Sequence, residues 1–126
     1  EMTENFSFEN QFITDYHSFL TQMPSTQNTI AIENSDLLII SGKEIEDMYK
    51  HGKNFEKLGR KIAENLYIFA YQRIQSLLTE DAEKKYVRLL KQRPDLLNRV
   101  QHYHVASYLG ISPETLSRIR KKVTFK

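Results

Sequence analysis

The sequence predicts an α+β fold, predominantly helical, and three observations carry that prediction. The first 41 residues hold short runs of aromatic and β-branched side chains, some in alternation, the pattern of half-buried strands. From residue 43 the apolar spacing changes to steps of three and four, and it continues to residue 78 with no proline. The last third breaks into short helical segments punctuated by Pro94, Gly110 and Pro113.

In the first stretch, residues 1–41, Phe6 and Phe8 alternate, as do Ile30 and Ile32, and Leu37 to Ile40 form a continuous apolar run. Each predicts a strand. Thr14 to Leu20 predicts a short helix instead, and Met23-Pro24-Ser25-Thr26 a turn. So few strands cannot close a sandwich or barrel, so this stretch is expected to be only part of a sheet.

In the second stretch, residues 43–78, Ile45, Met48 and Tyr49 predict a short amphipathic helix ending at His51-Gly52. A long helix follows from Asn54, a residue type suited to cap it. Its apolar positions are Phe55, Leu58, Ile62, Leu66, Phe69, Ile74 and Leu77, over about 36 Å at roughly 1.5 Å per residue. Ala63, Tyr67, Ile68, Ala70 and Tyr71 widen the stripe toward a second face. A helix apolar on two sides must bury both, and the remaining chain is too small to surround it. One face is expected on its own domain and one on a partner helix. This predicts a dimerisation helix with Phe55, Leu58, Ile62, Leu66 and Phe69 in contact.

In the third stretch, residues 79–126, Thr79 is the expected cap of a helix with Glu80, Asp81 and Glu83 in its opening turn, where the helix dipole favours acids. Ala82, Tyr86, Leu89 and Leu90 form its core face, and Pro94 closes it. After Leu96-Leu97 and a polar stretch, two short helices are expected, joined at Gly110. The run HVASYLGISPETLSRIRKK meets the demands of a helix-turn-helix. Val105, Ala106 and Leu109 give the first helix an apolar face, and Gly110 allows the positive φ of a tight turn. Ser112 suits the N-cap and Pro113 the first position of the second helix, whose buried stripe is Leu116, Ile119 and Val123.

On the opposite face of that second helix, Glu114, Ser117, Arg118 and Lys121 share one stripe at i, i+3, i+4 and i+7. An arginine can pair with guanine through two bonds, and a carboxylate can accept from cytosine N4. Glu114, Ser117 and Arg118 are therefore the candidate base-reading residues. Arg99, Ser112, Thr115, Arg120, Lys121 and Lys122 are candidates for the phosphate backbone. Glu114 is the lone acid among six bases from Arg99 onward, which suits base readout. The alternative is that it only complements the positive end of its helix.

Charge supports the same division. Residues 1–50 carry nine acids and two lysines, a net of −7, whereas residues 51–126 carry seven acids and sixteen bases, a net of +9. The total of +2 hides this polarity, which points to an anionic partner for the second half. The absence of cysteine excludes disulfides, thiolate zinc sites, iron–sulfur clusters and a cysteine nucleophile. No apolar run approaches the roughly 18–20 residues of a membrane span. A cytoplasmic protein with no metal or cofactor is expected.

On the runs SPETLSRIRKK, LLKQRPDLL and ENLYIFAYQRIQSLL, residues 54–122 resemble the C-terminal portion of the Crp/Fnr family of bacterial transcription regulators. The resemblance implies a homodimer formed through the long helix, a two-fold symmetric double-stranded DNA operator, RNA polymerase as a further partner and a winged helix-turn-helix. In the Fnr-like branch a Glu-x-x-Ser-Arg set faces the DNA, and here it falls on Glu114, Ser117 and Arg118. The resemblance also implies an N-terminal cyclic-nucleotide-binding-like β-roll, of which residues 1–41 look like the last part. The stretch from Asp15 to Ala31 lacks a Gly-Glu pair and residues 1–59 lack arginine, so no response to cyclic AMP is expected and the effector stays open. Only Val123 to Lys126 follow Lys122, little material for a wing.

Two rival classes draw on the same sequence. Asp15, His17 and Ser18 include the residue types of a hydrolase triad, but their closeness in sequence suits the polar face of a short helix. His102 and His104 lack the further ligands zinc needs. No enzymatic activity is expected. The competing class is a dimeric protein-interaction or ligand-sensing module whose helix-turn-helix no longer reads DNA.

Overall fold

The computed structural model describes residues 2–124, and the regular elements among them are seven α-helices. They are α1 (Tyr16–Thr21), α2 (Gly42–Lys50), α3 (Lys53–Thr79), α4 (Ala82–Gln92), α5 (Leu96–Arg99), α6 (His102–Leu109) and α7 (Pro113–Thr124). The expected α+β class is therefore wrong. Phe6, Phe8, Ile30, Ile32 and residues 37–40 lie in irregular backbone, and no strand exists among the described residues. No part of a β-roll is present among them, which overturns the Crp/Fnr resemblance. Alternation tells which side chains share a face, but a strand also needs a neighbouring edge for its N–H and C=O groups. The final strand of a wing, expected of the resemblance, is likewise absent from the described residues. Phe125 and Lys126 lie outside them.

The chain divides into two compact units, residues 7–68 and residues 1–6 with 69–126. In the first, local chemistry positions the helices. Asp15 caps α1 by accepting from the Ser18 amide at 3.1 Å, and its other oxygen accepts from the Ser25 hydroxyl at 2.7 Å. Ser41 and Glu44 form a reciprocal capping box at the start of α2, with bonds of 3.2 and 2.7 Å. The Tyr49 ring of α2 lies so close to Gly59 of α3 that a Cβ there would sit 2.7 Å from Tyr49 Cζ. A side chain at 59 would displace that ring. No described residue of this unit is buried, and Leu38 and Ile39 stand fully exposed at 104% and 91%.

The second unit holds the core. Its buried apolar residues are Tyr86 and Leu89 of α4, Leu96 of α5, Val100 in the α5–α6 link, Val105, Ala106 and Leu109 of α6, and Leu116 and Ile119 of α7. α4, α6 and α7 pack against one another around them. The cap of α4 is Asp81, which accepts from the Lys84 amide at 2.8 Å, in place of the expected Thr79. Thr79 ends α3, because its hydroxyl bonds back to the Gln75 carbonyl at 2.8 Å and keeps the backbone helical. The expectation of three helices after residue 79 missed α5, a single turn. Segment 2–6 lies on α6: the Thr3 amide donates to Ser107 Oγ at 2.8 Å, and Phe6 meets Tyr108 with ring centroids 5.3 Å apart. Arg73 covers the same Tyr108 ring at 3.9 Å.

Candidate nucleic-acid interface

The turn between α6 and α7 presents the candidate site. Gly110 has φ +71°, and it lies just past the last turn of α6. The Ile111 amide donates to the Ala106 carbonyl at 3.0 Å and the Gly110 amide to the Ser107 carbonyl at 3.1 Å, the paired bonds of a Schellman closure. This reverses the chain between the two helices. Ser112 then starts α7 by accepting from the Thr115 amide at 3.2 Å. With Leu116 and Ile119 turned into the core, the 3.6-residue repeat sends Glu114, Ser117, Arg118 and Lys121 outward, and all four are exposed. Two short helices joined at Gly110, as the sequence predicts, are thus present.

The stripe is partly self-engaged. The Glu114 carboxyl is held below the ordinary range, chiefly by its own backbone N–H, with the nearby Ser112 hydroxyl and the Arg118 charge acting in the same direction. In this state Glu114 does complement the helix N-terminus, while remaining open to solvent. Arg118 donates to Thr115 Oγ1 at 3.1 Å, so Thr115 orients the arginine.

The candidate phosphate contacts separate into two groups. Ser112, Thr115 and Lys121 lie at or along the exposed stripe. Arg120, Lys122 and Arg99 are held by the domain itself. Arg120 Nη1 lies 2.9 Å from His102 Nδ1, and its charge also acts on Tyr86, whose phenol is pushed up by burial and partly restored by that cation. Lys122 pairs with Glu83 of α4, which raises its pKa. Arg99 meets Asp95 at 3.4 Å. Sequence reasoning missed Tyr86, His102 and Glu83 as holders of these cations, because residues 18 to 39 positions apart leave no local signal.

On α3, the five candidate dimer residues are all at least partly exposed: Phe55, Leu58 and Phe69 are exposed, and Ile62 and Leu66 are half-buried. Tyr67, Ile68, Tyr71, Ile74 and Leu78 are exposed as well, so the helix leaves two apolar sides open. Of the Asp15, His17 and Ser18 group, Asp15 serves as the cap of α1 by accepting from the Ser18 amide. Among the described residues no three His, Cys, Asp or Glu side chains gather to hold a metal, and no helix is long and apolar enough to cross a membrane.

No protein-family model matches the chain, and no curated protein or solved structure matches it either. The class that the described residues define is a helical protein in which α6 and α7 pack together across a tight glycine turn.

Proposed function

We propose that the chain is a sequence-specific, double-stranded DNA-binding regulator that acts as a homodimer and catalyses no reaction. The observation that carries this reading is the outward stripe of Glu114, Ser117, Arg118 and Lys121 on the second helix of a tightly closed helix-turn-helix. α7 enters the major groove with its N-terminal half leading, Arg118 pairs with guanine, and Glu114 accepts from cytosine N4. Lys121 and the Ser112 hydroxyl contact phosphate. A second copy docks along α3, and a two-fold symmetric operator follows from the two-fold symmetric protein. The protein works in the cytoplasm, beside the DNA it reads.

Selection of bound sites from random duplexes at one fixed salt concentration tests this reading. A two-fold symmetric consensus supports it. Binding that depends on salt but not on sequence overturns it and favours the protein-interaction module.

A further inference from the structure

Of the 27 residues of α3, the one that is buried is a serine. Ser76 is 2% exposed, and both functions of its hydroxyl are used. It donates to Glu80 Oε2 at 2.8 Å and accepts from Arg88 Nη2, while Arg88 Nη1 donates to Glu80 Oε1 at 3.1 Å. These bonds close a three-membered ring joining the last turns of α3, the two-residue connection and the middle of α4. Lys85 Nζ adds a long contact, 3.5 Å, to the Leu77 carbonyl at the end of α3. The crease around the ring has a volume of about 340 Å³ and is bordered by Tyr71, Gln72, Gln75, Thr79 and Gln92.

From Phe69 onward α3 contributes no fully buried apolar side chain to the core that α4, α6 and α7 share. Apolar burial is non-directional, and at this end of α3 it reaches only the half-buried Leu77. Hydrogen bonds are directional, and three of them converge on one point between α3 and α4. Arginine suits that point because its planar fork serves Ser76 and Glu80 at once, which an ammonium group cannot do with the same fixed geometry.

We infer that Ser76, Glu80 and Arg88 form a polar joint that fixes the direction of α4, and with it α7, relative to the C-terminal end of α3. Arg88 is a positioning residue: it touches no DNA and acts through the angle it holds. The consequence for DNA rests on the proposed function, in which α3 joins the two copies. There the joint sets the separation of the two recognition helices and so the half-site spacing the dimer accepts.

The lack of cysteine allows a clean test. Nitroxide labels at Ile74→Cys on α3 and Thr124→Cys on α7, with labelled chain diluted into unlabelled chain, report the intramolecular distance by pulsed dipolar spectroscopy. The intact joint gives one narrow distance distribution. Arg88→Met keeps the aliphatic stem and removes the fork, and it is expected to broaden the distribution or split it. Ser76→Ala is expected to do the same to a smaller degree, and Arg88→Lys to restore the narrow distribution only in part. A distribution unchanged in both Arg88→Met and Ser76→Ala overturns the joint. If Arg88→Met fails to fold by thermal melting, Ser76→Ala alone decides. Where the regulator reading holds, the Arg88→Met protein also loses its preference for one half-site spacing while keeping its base preference within a half-site. A sequence-blind protein with a broadened distribution would defeat the regulator reading and leave the joint standing.

Discussion

The two units of this chain are built on different physics. Residues 69–124 gather nine apolar side chains from four helices and the α5–α6 link into one core, whereas residues 7–68 bury none. The coreless region still contains well-formed helix ends, with Asp15 on α1 and the Ser41/Glu44 box on α2. Capping satisfies the ends of a helix but adds only about 1 kcal/mol per cap. A shared core adds roughly 1.5–3 kcal/mol for each large side chain it buries. Local order and tertiary stability are thus separable, and here they are separated along one chain.

The largest test of that contrast pairs two leucines. Leu116→Ala removes a side chain that is 1% exposed, and about 2–5 kcal/mol of stability should go with it in chemical denaturation. Leu38→Ala alters a fully exposed side chain and should stay within about 0.5 kcal/mol. Equal losses at the two positions would mean that a cover over Leu38 forms in solution.

In the proposed function the core also holds a reading face still. Arg118→Ala is expected to weaken binding to the selected DNA site by about 1–3 kcal/mol and to relax preference at one base position. Competition binding against single-base variants of the site checks this, and undiminished selectivity would remove Arg118 from readout.

Two glycines sharpen the comparison at the level of the backbone. Gly110→Ala forces a Cβ onto a residue at φ +71° and should cost about 1 kcal/mol. Gly52, between α2 and α3, has a negative or extended φ and open space around it, so Gly52→Ala should change the unfolding midpoint little.

Lysines give a smaller difference. Lys121→Ala should lower the slope of log binding constant against log salt by about one. Lys122→Ala should lower it less, because Lys122 is already paired with Glu83.

The smallest effect is the response to acid. The Lys84 amide holds the Asp81 carboxyl below its ordinary pKa, and the Ser41 amide and hydroxyl do the same for Glu44. For a lowered carboxyl, stability is fully present above the unfolded-state pKa and is lost as pH falls through the folded one. Both caps should therefore weaken only below the ordinary carboxylate range. Amide chemical shifts should show α2 losing helicity before α4, since α2 has no buried face to hold it.

Much of this architecture is legible in order along the chain. The unbroken three-four spacing places α3 within one residue at each end, and Gly110-Ile111-Ser112-Pro113 marks the α6–α7 turn with its positive φ. These features depend on side chains and backbone within a few residues of each other. The strands expected at Phe6/Phe8, Ile30/Ile32 and Leu37 to Ile40 depend on partners that local pattern does not supply. The cap of α4 lies two residues beyond its expected place, because Thr79 and Asp81 are both capping types and only the back-bond to Gln75 separates them. Ser76 does leave a trace. It lies seven residues after Phe69, in phase with the apolar stripe, and four before Glu80.

By itself, then, the sequence determined where most of the helices begin and end, which stripe of α7 faces inward, and the opposed charge of the two halves. Periodicity, capping chemistry and glycine's freedom at positive φ act over one or two helical turns, so they can be read from neighbours. Only the tertiary structure decided which cations remain open to an anionic partner. Arg120, Lys122 and Arg99 look equivalent to Lys121 in the sequence, yet folding brings His102 and Tyr86 to Arg120, Glu83 to Lys122 and Asp95 to Arg99. An ion's availability depends on what else reaches it in space, and that is a property of packing.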